Sequence, residues 1–338
     1  MNILENISLK NFNTFGIDVK AKAVAEIFSE NDLKEALVLS EFKNSIKLVI
    51  GGGSNILLTK DFDGLVIKNS IPGINIIDED KSTILIQAGA GVIWNDLVLF
   101  CVDKNFGGIE NLSLIPGTAG AAPLQNIGAY GQELKDVFFS LKGISVKDLS
   151  EKNFNNRECK FGYRDSVFKN ELKGKFVIAT ITLRLKKNPI VSLNYASVMD
   201  EIGKLHLQNV TIRDVSNIVC EIRKGKLPDP SVIGNAGSFF KNPEVDTYKF
   251  DELKKDYPDI SGYNMDNGKV KLAAGWLIEK CQWKGKRVGN AGTHSKQSLV
   301  LVNYGGAKAE EILQLADEIK NSVYDKFGIT LHEEINIY

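Results

Sequence analysis

Apolar residues along the chain recur at helical spacing in a few long stretches, separated by short β-rich runs. Leu33, Ala36 and Leu37 share one face of a helix predicted over residues 31–40, with a Ser/Asn cap, which leads into a strand at 46–50. Further β-rich runs fall at 65–67, 74–77 and 84–87. Trp94, Leu97, Val98 and Cys101 mark an amphipathic helix over 92–104, ended by Phe106-Gly107-Gly108. Strands return at 137–146 and 176–185. Thr211 and Asp214 form a capping-box start for a helix reaching residue 224, with Val215, Ile218, Val219 and Ile222 on its buried face. Leu227-Pro228-Asp229-Pro230 ends that helix and marks a domain boundary. Beyond it the pattern predicts a helix at 272–281, a strand at 299–303, a long helix at 307–327 capped by Gly328, and a final strand over 329–338.

This mixture is an α+β pattern without repeats or low-complexity tracts, and 338 residues are enough for two or three domains. Lys+Arg and Asp+Glu both number 42, so the chain is neutral, which argues against nucleic acid or an acidic membrane surface as the main partner. No apolar run is long enough to span a bilayer and no secretion signal is legible, so a cytoplasmic protein is expected. Cys101, Cys159, Cys220 and Cys281 are scattered and read as reduced thiols. His206, His294 and His332 lack metal-ligand spacing, and no metal centre is expected.

Two stretches carry candidate chemistry. The strand at 46–50 runs into Gly51-Gly52-Gly53-Ser54-Asn55, where bare main chain either cradles a phosphate or simply turns tightly. Ile56 stands where a Rossmann fingerprint needs glycine, and no helix follows, so a dinucleotide held here implies a different fold. The second stretch, Ile115-Pro116-Gly117-Thr118-Ala119-Gly120-Ala121-Ala122-Pro123 and on through Asn126, Gly128, Ala129, Tyr130 and Gly131, has little side-chain bulk. It is either a surface for a flat ligand, with Asn126 and Tyr130 available as hydrogen-bonding groups, or a close backbone crossing.

Further motifs make the pattern specific. They are Asn13-Thr14-Phe15-Gly16, Gly162-Tyr163-Arg164-Asp165-Ser166, Lys226-Leu227-Pro228-Asp229-Pro230, Gly234-Asn235-Ala236-Gly237-Ser238-Phe239-Phe240-Lys241-Asn242-Pro243, Ala273-Ala274-Gly275-Trp276, His294 to Gln297, and Leu331-His332-Glu333-Glu334-Ile335. In this order, over nearly the whole chain, they resemble the UDP-N-acetylenolpyruvoylglucosamine reductases. The resemblance implies an FAD-binding domain of the vanillyl-alcohol-oxidase/PCMH type in two subdomains, 1–70 (completed by 329–338) and 71–226, and a separate α+β substrate-binding domain at 227–328. It implies non-covalent FAD, with its pyrophosphate on Gly51 to Asn55 and the Ile115 to Tyr130 loop alongside. It also implies NADPH as co-substrate, UDP-N-acetylglucosamine enolpyruvate as substrate, and a monomer. Carried over by motif, Arg164, Ser238 and Glu334 are catalytic, Tyr195 lies in an inserted substrate-gating loop, and Tyr163, Lys226, Asn242 and Gln297 handle substrate or nucleotide. The tail departs from the family's usual Leu-Glu-Pro-Glu-Val: His332 and Glu333 replace Glu-Pro, and Asn336 replaces a basic residue. Glu334 is preferred over Glu333 by its spacing from Leu331.

The chemistry suits these residue types. Hydride addition to an enol ether bearing a carboxylate builds enolate-like charge, which a fixed guanidinium such as Arg164 stabilises most in the transition state. The carbanion then takes a proton, for which Ser238, in a loop of small residues, is the donor if a cation such as Lys241 assists; otherwise it caps the segment that follows. Phe239 and Phe240 read as core. Two other classes compete: an oxidase of the same flavin fold, many of which tether FAD through histidine where this chain has none before position 206, and a flavin-binding module without catalysis.

Overall fold

A computed structural model describes residues 1–191, 195–265 and 267–338. The chain forms two compact units, each assembled from three separated segments. The first takes Met1–Ile7, Ala21–Gly52 and Phe62–Gly225; the second takes Ser8–Lys20, Gly53–Asp61 and Lys226–Tyr338.

In the first unit, strands Lys20–Ile27, Phe62–Asn69 and Ile46–Ile50 run parallel in that spatial order, with Asn2–Ser8 at the edge. Helix Glu30–Val38 makes the crossover that parallel strands require. Its cap is the Ser29 hydroxyl, which accepts the Asp32 N–H, so the helix begins one residue before the expected start. Leu33, Ala36 and Leu37 are buried, as their spacing demands, in one core with Ile27, Leu65 and Ile67. Burying each leucine or isoleucine side chain contributes about 1.5–3 kcal/mol.

A second, antiparallel sheet follows the order Glu151–Asn155, Phe138–Ser145, Phe176–Lys186, Thr83–Gly89, Ile74–Glu79. Helix Trp94–Asp103 buries Trp94, Leu97, Val98 and Cys101 in the same core as Ile84, Ile86, Ile181 and Leu183. The Trp94 indole N–H is satisfied by the Leu112 carbonyl at 3.0 Å. Burial pushes the Cys101 and Cys159 thiols up to about 12, which keeps both unreactive. Helix Ile212–Lys226 has the expected Thr211–Asp214 box, and its Val215, Ile218 and Val219 pack with Val198 and Ile202 of helix Ala196–Lys204.

The second unit is built on an antiparallel sheet in the order Gly234–Ser238, Val300–Asn303, Ala291–Thr293, Arg287–Val288. Helix Ala309–Phe327 buries Ala309, Ile312, Leu315, Ala316, Ile319, Val323 and Phe327, one stripe at helical spacing, and Gly328 ends it in the left-handed region at φ 65°. The final strand is much shorter than its apolar pattern predicts, covering only Asn336–Ile337. The chain changes partner there. Residues 332–334 bond first to 239–241, through Lys241 N–H to His332 O and Glu334 N–H to Phe239 O, both at 2.8 Å. Asn336–Ile337 then pairs in parallel with Ile56–Leu57. Among the described residues, no helix is long and apolar enough to cross a membrane.

Candidate active site

In the first unit the two glycine-rich stretches meet. A Cβ on Gly51 would collide with the Thr118 hydroxyl, and one on Gly52 would come to 3.1 Å from the Gly117 Cα. The glycines are therefore required by a close backbone crossing, and the same absence of side chains leaves main chain bare: Gly52 is exposed and Gly117 half-buried. Gly120 is likewise pressed against Ala90. Lys68, on the neighbouring strand, donates its ammonium N–H to the Gly51 carbonyl. The stretch after the glycines is the short strand Ile56–Leu57 rather than a helix, as the sequence indicates. Gly53, in the second unit, has φ 64°, and the Phe12 carbonyl stands where a Cβ would go. Ser54 and Asn55 follow, half-buried, with the Asn55 carbonyl accepting from the Asn336 main chain and side chain.

Ile115, Gly117 and Ala121 are half-buried, Pro116 is exposed and Thr118 is buried. Asn126 is fully buried at φ 42° and engages its whole amide inside the protein. Its Nδ2 donates to Glu133 and to the Gly162 carbonyl, both at 3.0 Å, and its Oδ1 accepts the Lys135 N–H. Gly128–Ala129 and Gln132–Glu133 form a two-residue hairpin. Its tip, Tyr130-Gly131, has φ 49° and 80°, both positive as a type I′ turn requires.

The Gly162 carbonyl held by Asn126 belongs to a second tight turn. Gly162 and Asp165 exchange main-chain hydrogen bonds, and Arg164, third in the turn, sits at φ 52°, a position that favours Gly or Asn. Its Nη2 donates to the Gly128 carbonyl at 2.7 Å, and its guanidinium lies 5.7 Å from the centre of the Tyr163 ring. Asp165 instead accepts from Asn170. Tyr130 meets Tyr195 edge to face at 5.2 Å. Tyr195 is 39% exposed at the start of helix Ala196–Lys204; Leu193 and Asn194 of the expected gating loop lie outside the described residues. Sequence reasoning missed Arg223, whose Nε donates to the Leu114 carbonyl at 3.2 Å and whose guanidinium adjoins the Tyr130 hydroxyl. Burial holds the Arg223 guanidinium below its ordinary value and raises the Tyr130 phenol. Its signal was helical spacing, one turn before Lys226.

In the second unit, Ser238 closes strand Gly234–Ser238 opposite Val300, after a register shift that begins at Asn235. Gly237 makes that bulge at φ 71°, with open space where its Cβ would be, so its glycine is required by conformation alone. The Asn235 side chain accepts the Gly237 N–H at 3.0 Å. Ser238 is thus half-buried on a strand, capping no helix, while Phe239 and Phe240 are core. Glu333 bridges to Phe240 and gives its carboxylate to Lys320 at 2.8 Å. Alternation along an extended segment sends Glu334 to the other side. Asn242 accepts the Ala274 N–H at 3.0 Å, and Gln297 packs against Gly275, so both converge on the first turn of helix Ala274–Lys280. Lys226 is exposed at the end of its helix.

Known proteins give this geometry a context. An FAD-binding domain family matches residues 21–147, and the C-terminal domain of UDP-N-acetylenolpyruvoylglucosamine reductase matches 229–338. Reductases of that name from Flavobacterium johnsoniae and Pseudomonas aeruginosa are 47% and 46% identical over 338 residues, covering 100% of this chain and 100% and 99% of theirs. The solved reductase from Thermus caldophilus has TM-score 0.67 at 23% identity, covering 100% of this chain and 98% of that one. 6-Hydroxy-D-nicotine oxidase from Arthrobacter nicotinovorans gives 0.51 at 14%, covering 97% and 86%. Those two structures speak for the fold, an α+β architecture with a vanillyl-alcohol-oxidase/PCMH-type FAD-binding domain. The bare main chain at Gly51, Gly52 and Gly117 fits such a cofactor, which needs close backbone approach to its pyrophosphate. The protein is an FAD-dependent oxidoreductase of that fold. Identity across its full length places it in the UDP-N-acetylenolpyruvoylglucosamine reductase family.

Proposed function

We propose that the protein reduces UDP-N-acetylglucosamine enolpyruvate to UDP-N-acetylmuramate at the expense of NADPH, a cytoplasmic step in peptidoglycan precursor synthesis, acting as a monomer. The observation that carries this reading is Arg164, a half-buried arginine locked in a left-handed turn and tied to the second glycine-rich loop. An unsaturated acid needs such a fixed cation, because charge grows on its carboxylate as it is reduced.

FAD, when bound, would supply the hydride chemistry of the reduction, with NADPH as the source of reducing equivalents. Arg164 binds the carboxylate and stabilises the developing charge. Ser238 delivers a proton to the adjacent carbon, and Glu334 orients the substrate. The commitment of Glu333 to Lys320 supports Glu334 in that part. Gly51, Gly52, Gly53, Ser54 and Asn55 hold the pyrophosphate with their main chain, and the loop from Ile115 to Tyr130 lies along the cofactor. Asn126 contributes through the turn it holds. Tyr195 gates the substrate, and Tyr163, Lys226, Asn242 and Gln297 bind substrate or nucleotide. We assign 1–70 with 329–338, and 71–226, as the FAD subdomains, and 227–328 as the substrate domain. The two separate sheets of the first unit, with Phe62–Asn69 in one and Ile74–Glu79 in the other, support the boundary near residue 70.

The test is NADPH oxidation by the flavin-loaded enzyme with and without the enolpyruvyl nucleotide. Rapid turnover is expected only with it. Oxygen-driven NADPH consumption that ignores the nucleotide, or flavin that NADPH fails to bleach, would overturn the assignment.

A further inference from the structure

The first unit contains a cation for which the reaction scheme has no use. Lys68 lies on the central strand of three parallel ones, and the registers place it level with Glu26 on one side and Ile50 on the other. These are the carboxyl ends of the strands, the edge at which open parallel sheets receive ligands. The next residue after Ile50 is Gly51, whose carbonyl accepts the Lys68 ammonium.

We propose that Lys68 is a positioning and charge-complementing residue for the anion held by Gly51 and Gly52, an inference that rests on reading this loop as the FAD pyrophosphate site. Its geometry follows from the peptide bond. In a trans peptide the carbonyl of Gly51 and the N–H of Gly52 point in opposite directions. Pinning the carbonyl to Lys68 therefore turns the N–H of Gly52, an exposed residue, away from the Lys68 ammonium. A cation on the carbonyl also polarises the peptide and strengthens the N–H as a donor.

The charge balance points the same way. Burial pulls the Lys68 ammonium below its ordinary value, and the Glu26 carboxylate works against that shift. Glu26 is itself engaged by the Ser70 hydroxyl at 2.7 Å. An ammonium half-withdrawn from water gains from a second anion nearby, and a pyrophosphate is one.

The experiment strips the flavin, titrates the apoprotein with FAD, and follows quenching of flavin fluorescence, with the melting temperature of each apoprotein recorded alongside. Lys68→Met is expected to raise the FAD Kd by roughly 10- to 100-fold, the worth of a charge-assisted hydrogen bond. Its apoprotein should melt no lower than wild type, because an apolar side chain replaces a buried charge. Lys68→Gln keeps a donor for the Gly51 carbonyl without the charge and should fall between Lys68→Met and wild type, whereas Lys68→Arg should recover most of the affinity. A wild-type Kd in Lys68→Met or Lys68→Gln overturns the proposal. If Lys68→Met does not fold, Lys68→Gln and Lys68→Arg decide: a raised Kd in the first with recovery in the second supports the role of Lys68, and a wild-type Kd in the first overturns it. Wild-type apoprotein that takes up no FAD would instead sink the reading of the loop, and the proposal with it.

Discussion

Arg164 and Ser238 reach their positions by opposite means. Arg164 itself occupies left-handed backbone at φ 52°, and nearby Tyr130 does the same at 49°. Bulky residues there carry strain of about 1–3 kcal/mol, which persists only when the surroundings over-determine it. The surroundings are a pair of tight hairpin turns joined by the buried Asn126 amide and the Arg164–Gly128 hydrogen bond. Ser238 is relaxed, and the left-handed residue is its neighbour Gly237, where such a φ carries little strain. The first unit thus places the strain on the arginine itself, whose guanidinium it ties to Gly128. The second delegates it to a glycine bulge, which aims a hydroxyl.

The largest expected effect tests the hydroxyl. Ser238→Ala should slow flavin reoxidation by the enolpyruvyl substrate about 10²–10⁴-fold, the usual loss for a positioned general acid. Flavin reduction by NADPH should be nearly unchanged, and stopped-flow absorbance separates the two. Equal slowing of both would make Ser238 a structural residue. Arg164→Gly should follow, at about 10²–10³-fold in the same step. Arg164→Ala loses the same hydrogen bond but keeps the left-handed strain, so Arg164→Gly should melt above it; an equal or lower melting temperature would show that the turn is unstrained. The mirror experiment is Gly237→Ala. Its Cβ enters open space, yet the backbone is forced, so stability should fall by about 1–2 kcal/mol. With Ser238 re-aimed, reoxidation should slow roughly tenfold. Unaltered stability and rate would mean that the bulge has no part in placing the hydroxyl.

This contrast also explains what the sequence revealed. Gly237 and the Gly51 to Gly53 run announce unusual backbone by their residue type, and the helix faces at Leu33, Trp94 and Val215 announce burial by spacing. Tyr130 and Arg164 give no such notice, because their conformations are imposed by partners 7 to 36 residues apart in sequence, through Asn126, Glu133, Gly128 and Gly162. The final strand was overextended for a related reason. Leu331 and Ile335 are buried and mimic a continuous strand, but pairing is set by segments far away in sequence at 239–241 and 56–57. Lys68 and Arg223 carry no motif; their value lies in which carbonyls they meet.

The pairing of Ile56–Leu57 with Asn336–Ile337 has a consequence in time. A ribosome adds about 5–20 residues per second, so the segment 53–61 waits on the order of tens of seconds for its strand partner to be made. Until then the apolar side chains of Ile56, Leu57 and Leu58, buried in the finished protein, have no sheet to join. The first unit has all its segments by residue 225 and faces no such delay. During synthesis the exposed run at 56–58 is therefore where a chaperone or a neighbouring nascent chain would find the molecule open.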